Sequence, residues 1–309
     1  MSTKASAPGK IILFGEHAVV YGQPALAVPV TQVHADVEVS DSSRPGIWIE
    51  APDIDLHTEL NTLPSDHPLA AVIHNLFFAL HLDPFPSLHI EIDSTIPVAS
   101  GLGSGAAVSV ALIRAVSSYT GHPLSDERVN DLAFEIEKLH HGTPSGIDNT
   151  VITYARPVYF VKGRPLETFK AGVPFIIIIG DTSIAAPTKE AVGDVCKLWM
   201  EDKVKWEKVF SKIGEIANQA RTTIEQGKTK ELGKLMDQNH VLLQEMTVSS
   251  PELDKLVRAA RNAGALGAKL SGGGRGGNMI ALVTPETNEA VAKSLMDAGA
   301  RYVIITKVE

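Results

Sequence analysis

Gly101, Gly103 and Gly105 are alternate residues in the stretch PVASGLGSGAAVSVALIRAV, 97–116, and an apolar stripe follows them without a break. Val108, Leu112, Ala115, Val116 and Tyr119 recur at three- and four-residue spacing, which predicts a helix that begins at the glycines. Glycine lacks a Cβ, so consecutive backbone N–H groups can crowd around one anion. A helix N-terminus directly behind them adds unpaired donors and about half a positive charge, an environment that suits phosphate. The loop is not a Walker A loop, because no Gly-Lys-Ser/Thr follows, and its spacing departs from G-x-G-x-x-G. A tight turn needing positive φ explains the same glycines, so this stretch alone does not decide a function.

The rest of the chain narrows the choice. Its 309 residues suffice for one large domain or two ordinary ones. The formal net charge of −8 argues against a nucleic-acid binder, yet a local cluster of donors can still hold a small anion. Cys196 is the sole cysteine, which excludes an intrachain disulfide and fits a reducing compartment. No charged segment followed by an apolar h-region opens the chain. The longest apolar runs, such as PFIIIIG at 174–180, fall well short of the ~20 residues of a membrane helix. A cytoplasmic protein with no membrane partner is expected.

Patterning predicts α+β architecture. KIILFGEHAVVYG, 10–22, reads as a strand meeting a polar turn, and ALAVPV and HADVEVS as two further strands. LAAVIHNLFFAL, 69–80, reads as a buried helix, and SLHIEIDSTIP, 87–97, as a strand leading into the glycine loop. Ser125 is a candidate N-cap for a helix carrying Val129, Leu132, Ala133, Ile136 and His140. HHGTPSGIDNTVITY, 140–154, reads as a long polar loop running into a short strand. The turn-rich stretch 161–174 is the expected domain crossing. Beyond it come a buried strand at 175–180 and helical stretches near 189–226, 229–246 and 252–263. A strand pair around SGGGRGG, a helix near 285–298 and a final strand RYVIITK complete the chain. This order suggests two α+β halves.

Three stretches join the glycine loop as candidates for chemistry. SAPGKIILFGEHAVVYG, 6–22, brings Lys10, Glu16 and His17 together near a strand end; HGTPSGIDN, 141–149, sets Asp148 in a loop of Gly and Pro; KLSGGGRGGNMIAL, 269–282, places Arg275 inside a second glycine run. Singly, each has an ordinary explanation: a solvated lysine, an Asx turn, a hairpin connection. Four in one acidic chain are poorly explained as turns.

Together they resemble the GHMP kinases, the ATP-dependent small-molecule kinases named for galactose, homoserine, mevalonate and phosphomevalonate. The superfamily's three motifs match APGKIILFGEHAVVYG, PVASGLGSGAAVSV and KLSGGGRGGNMIAL in the expected order. GEHAVVYG with HGTPSGIDN is most similar to the branch acting on mevalonate. The resemblance implies a two-domain α+β fold, with an N-terminal half like ribosomal protein S5 domain 2 (1–168) and a ferredoxin-like C-terminal half (169–309). It implies ATP as co-substrate and Mg²⁺ as cofactor, a small-molecule acceptor, no nucleic acid, and possible pairing as a homodimer. By the same resemblance Pro97, Ala99, Ser100, Gly101, Leu102, Gly103, Ser104, Gly105 and Ala106 bind the nucleotide, and Ser104 and Glu137 serve the metal. Asp148 is the base that takes the acceptor hydroxyl's proton, Lys10 the cation beside it, and Glu16, His17 and Thr188 lie at the acceptor. The helical wheel does not separate Glu137 from Glu135.

Two departures from the family pattern stand out. Gly105 occupies a position where many relatives have a second serine, leaving Ser104 as the hydroxyl there. Ala185, Ala186 and Pro187 precede Thr188 where several relatives carry a basic residue, which leaves the acceptor's carboxylate without an assigned partner. A kinase for a phosphorylated acceptor would need further cations, and no Lys/Arg cluster is added near 10–22 or 140–150. A non-catalytic relative would be expected to lose Lys10 or Asp148; both are present.

Overall fold

The structure, a computed structural model, describes residues 2–97, 100–141, 145–185 and 188–309. In chain order it opens with strands β1 (Ser2–Phe14), β2 (Ala25–Asp41), β3 (Ile47–Ala51) and β4 (Leu56–Glu59). Helix α1 (Pro68–Leu80), strand β5 (Leu88–Ser94) and helices α2 (Ser104–Tyr119), α3 (Asp126–His141) and α4 (Ile147–Tyr154) follow. Next come β6 (Val158–Phe160), β7 (Glu167–Thr168), β8 (Phe175–Asp181), and helices α5 (Thr188–Glu201), α6 (Lys203–Glu225), α7 (Thr229–Glu245) and α8 (Pro251–Asn262). The chain closes with β9 (Gly267–Ser271), β10 (Asn278–Val283), α9 (Asn288–Asp297) and β11 (Tyr302–Val308). It packs as two compact units, Met1–Gly9 with Val33–Val98 and Leu102–Ala155, and Lys10–Gln32 with Ala99–Gly101 and Arg156–Glu309.

In the first unit, β5 buries Leu88, Ile90 and Ile92 and turns the residues between them outward, as a strand with one covered face must. It pairs antiparallel with 35–41 of β2 and parallel with β3, which pairs antiparallel with β4. Helix α2 packs against α1, α3 and α4 and is buried nearly all round, so its sequence is apolar on every side. Its one charged residue, Arg114, pairs with Asp126 at 2.6 Å and donates to the Thr153 carbonyl at 2.6 Å.

Residues 147–154 are helical, not the expected short strand. Thr150, Val151, Ile152 and Thr153 favour a strand locally, but packing against α2 and α3 overrides that preference. Gly146 opens this helix at φ 82°, and the Asn149 amide donates to Asn130 Oδ1 at 2.7 Å, fastening α4 to α3.

The second unit is built on an antiparallel sheet of order β11-β8-β10-β9. Every residue of β9 and β10 is buried. Ile178, Leu270, Met279 and Ala281 meet Trp206, Phe210, Leu243, Leu253 and Leu295 in one core. Tyr21 stacks on Phe210 with ring centroids 4.0 Å apart, anchoring a single 3₁₀ turn at Ala18–Tyr21 to α6. The expected helix over 189–226 is two helices, because Asp202 leaves helical geometry at φ −146° and accepts the Lys205 N–H at 3.0 Å as an N-cap. The two strands expected in ALAVPV and HADVEVS are one continuous β2. No helix among the described residues is long and apolar enough to cross a membrane.

Asp202→Ala removes that cap and should lower unfolding stability by about 1 kcal/mol, measured by urea denaturation. An unchanged midpoint would show that α5 and α6 are separated by something other than the cap.

Candidate active site

The glycine loop delivers the chain into α2 without a conventional cap. Gly103 is the N-cap residue at φ 78°, ψ 32°, a conformation with little penalty for glycine alone, and it has no side chain with which to cap the helix. The first turn carries no acidic residue. The first-turn N–H groups, which have no partner within the helix, and the positive end of its dipole are therefore both directed at whatever lies ahead of Ser104. Gly105, inside the first turn, costs about 1 kcal/mol relative to alanine. Among the described residues outside its own helix and chain neighbours, a Cβ there would meet no atom within 4 Å. Leu102 and Ala106 are buried and hold the loop's ends, and Ser104 is half-buried. Ala99 and residues 142–144 of the HGTPSGIDN loop lie outside the described residues.

Also in the first unit, the two candidate metal carboxylates differ in surroundings. Glu135 is exposed and bound to Lys138 at 2.7 Å, whereas Glu137 is half-buried. A carboxylate and the Ser104 hydroxyl are hard oxygen donors, the chemistry Mg²⁺ prefers, and Mg²⁺ commonly completes its shell with phosphate oxygens and water. Among the described residues no group of three or more His, Cys, Asp or Glu could hold a metal unaided. Those donors fit an ion that arrives with phosphate oxygens. Asp148 is half-buried in the first turn of α4, held in place through Asn149 and through Thr150 Oγ1, 3.3 Å from Asn130 Oδ1.

The second unit gathers the expected acceptor residues around Gly273. His17 Nε2 lies 2.9 Å from the Gly273 carbonyl. A carbonyl only accepts, so Nε2 carries the proton and Nδ1 is left as an acceptor, buried with no hydrogen-bond partner among the described residues. Burial pushes the His17 pKa down to about 4, and the positive charge of Arg275 acts in the same direction. His17 is thus a neutral imidazole at neutral pH. A Cβ on Gly273 would come within 2.9 Å of Thr188 Oγ1, so the first residue of α5 rests on the same loop. Ala186 and Pro187, just before it, lie outside the described residues.

Glu16 has a partner that sequence reasoning did not find. Lys269, fully buried on β9, donates to Glu16 Oε1 and to the Leu270 carbonyl at 2.7 Å. Burial pushes the Glu16 carboxyl up and the Lys269 ammonium down, and their contact opposes both shifts. Glu16 Oε2 is buried without a partner among the described residues. A lysine in an otherwise apolar strand pattern was the available signal for this pair. Arg275 sits in the loop at φ 61° with its guanidinium 2.6 Å from Asp194, and its backbone N–H donates to the Val248 carbonyl at 2.7 Å. Lys10 is buried in β1, and Ser100 is buried with its carbonyl held by Asn278.

Family models agree with this arrangement. Residues 69–156 match the GHMP kinases N terminal domain and residues 220–300 the GHMP kinases C terminal region. The chain is 37% identical to a mevalonate kinase from Thermococcus sibiricus, over 100% of this chain and 96% of that one. It is 38% identical to one from Pyrococcus horikoshii, over 98% and 95% of the two chains. The crystal structure of L. major mevalonate kinase in complex with R-mevalonate superposes with a TM-score of 0.87 at 30% identity, covering 99% of this chain and 95% of that one. The chain belongs to the GHMP kinases and, within them, to the mevalonate kinase family.

Proposed function

We propose that this protein transfers the γ-phosphoryl group of ATP to the primary hydroxyl of mevalonate, giving 5-phosphomevalonate and ADP. The observation that carries the reading is the uncapped N-terminus of α2 behind Gly103, a ready anion site in a chain similar along its whole length to mevalonate kinases. Residues 97 and 99–106 bind the nucleotide, with backbone N–H groups of the glycine loop donating to its phosphates; Pro97, which has no N–H, contributes contact only. Glu137 and Ser104 would hold Mg²⁺, which would supply positive charge to offset that of the phosphates.

The chain's own groups do the rest. Asp148 accepts the proton of the acceptor's primary hydroxyl as that oxygen bonds to the γ-phosphorus and the bond to the β-phosphate bridging oxygen breaks, releasing ADP. Aspartate is a weak base for an alcohol, so the ammonium of Lys10 stabilises the developing oxyanion. Neutral His17 offers Nδ1 as an acceptor to a donor on the substrate, and Glu16 and Thr188 complete that end of the site. The same reading takes 1–168 and 169–309 as the family's two halves and a homodimer in the cytoplasm as the working form.

An ADP-release assay across mevalonate, phosphomevalonate, homoserine and galactose tests the assignment: turnover should be confined to mevalonate, and no turnover with any of the four would refute it. Asp148→Ala should collapse kcat with ATP affinity nearly intact, and Lys10→Met should lower kcat by about 10²–10³. Unchanged kcat in either variant removes that residue from the chemistry.

Protonation of His17 supplies a further expectation. Its folded pKa of about 4 lies below the ordinary value of 6.5, so the unfolded chain binds the extra proton first. The stability that this difference confers is present above pH 6.5 and is lost as pH falls towards 4, by up to about 3 kcal/mol. Urea unfolding across that window should show the loss, and His17→Asn should reduce the slope to the part supplied by His240, which burial also pushes down to about 4. An equally steep slope in the variant would place the titration elsewhere.

A further inference from the structure

Asn278 is 3% exposed and stands at the first position of β10, opposite Asp181 of β8 on one side and Ser271 of β9 on the other. A residue flanked on both sides by neighbouring strands has little freedom to shift. Its amide nitrogen donates to the Ser100 carbonyl at 2.5 Å. A carbonyl can only accept, so the amide's orientation is settled and its oxygen points away from Ser100. That oxygen is buried with no partner among the described residues. An amide with half its capacity unmet is unfavourable in a core, and the residues that follow, Met279, Ile280, Ala281, Leu282 and Val283, are all apolar. Packing alone gives no reason for asparagine here.

The bond has a directional consequence. The peptide joining Ser100 to Gly101 is planar and trans, so its C=O and N–H point in opposite directions. A Cβ on Gly101 would fall 3.8 Å from the Asn278 nitrogen, which puts the amide beside this same peptide. Whatever fixes the Ser100 carbonyl therefore also aims the Gly101 N–H. It also keeps a carbonyl lone pair from turning towards an anion, which it would repel.

We propose that Asn278 is a positioning residue for nucleotide binding: by holding the Ser100 carbonyl it presents the Gly101 N–H to the phosphates of ATP. The inference rests on the phosphate-loop reading above and extends it to a residue 178 positions away in sequence. Asn278 would touch no substrate. It acts through the loop's peptide, from the rigid end of the sheet that also carries Lys269.

The test uses Asn278→Ala and Asn278→Thr, the second a strand-favouring residue whose hydroxyl is one bond too short to reach the carbonyl. Calorimetric ATP titration, KM for ATP and for mevalonate, and the Gly101 amide resonance are measured for each, with Gly103→Val in parallel. Loss of one buried hydrogen bond should weaken ATP binding by about tenfold in whichever of the two variants folds, leave KM for mevalonate unchanged, and move the Gly101 resonance. Gly103→Val should weaken ATP binding as well, because its side chain intrudes on the phosphates' space. If Gly103→Val loses ATP and the Asn278 variants do not, Asn278 has no positioning role although the loop reading stands. If the Asn278 variants lose ATP and mevalonate affinity alike, the residue serves the fold only, and the inference is overturned. If Gly103→Val binds ATP normally, the loop reading fails and takes the inference with it.

Discussion

The buried ion pair between Lys269 and Glu16 joins the first family motif to the third, and the local geometry of the second unit depends on it. Both residues are almost inaccessible to water, so neither charge is tolerable without the other. Breaking such a pair by removing one member typically costs 3–5 kcal/mol, roughly the scale of a small domain's whole margin. Because Glu16 precedes His17 directly, the pair also dictates where the imidazole sits. The His17 bond to Gly273 and the Ser271 hydroxyl's bond to the Ile12 carbonyl at 2.7 Å are further ties between the same two segments. Stability and site geometry are here one set of contacts.

The first unit has a complementary feature, in that α2 begins without a side-chain cap at Gly103. A serine or aspartate at the Ncap position would satisfy its N–H groups and stabilise the helix by about 1 kcal/mol, but it would also occupy the donors. Gly103 leaves them available. The helix tolerates this because its stability comes from burial against α1, α3 and α4 rather than from its ends. An almost wholly apolar helix and an undefended N-terminus are parts of one arrangement.

Much of this was legible in the sequence, for identifiable reasons. Period-3.6 stripes gave α2 and α3, and an apolar run too long and even for a strand gave α1. Helix α4 was hidden, since its β-branched residues read as a strand and only contact with α2 and α3 decides otherwise. The break between α5 and α6 was hidden because neither glycine nor proline marks it, only one aspartate. Among the site residues, the glycine loop, Glu16 and His17 stood out by motif. Lys269 and Asn278 did not, since their meaning lies in partners 253 and 178 residues away. Glu137 could not be told from Glu135 on a helical wheel, and the difference in burial and the Lys138 contact distinguish them.

The two glycine-rich loops, alike on paper, answer different demands. A Cβ on Gly274 would fall 1.9 Å from the Val248 carbonyl oxygen, and one on Gly276 2.4 Å from that of Ile184. Those glycines are required by the protein's own backbone, which presses against the loop between β9 and β10. Around α2, among the described residues, a Cβ on Gly105 would meet nothing within 4 Å beyond its own helix and chain neighbours, and one on Gly101 would meet the Asn278 amide at an ordinary 3.8 Å. Gly101 is instead favoured by its own φ of 78°, and Gly105 weakens the first turn of α2 relative to alanine. Steric demand from described neighbours therefore singles out Gly273, Gly274 and Gly276, whereas Gly272 and Gly277 in the same loop are as open as Gly105, so crowding acts position by position rather than on a loop as a whole.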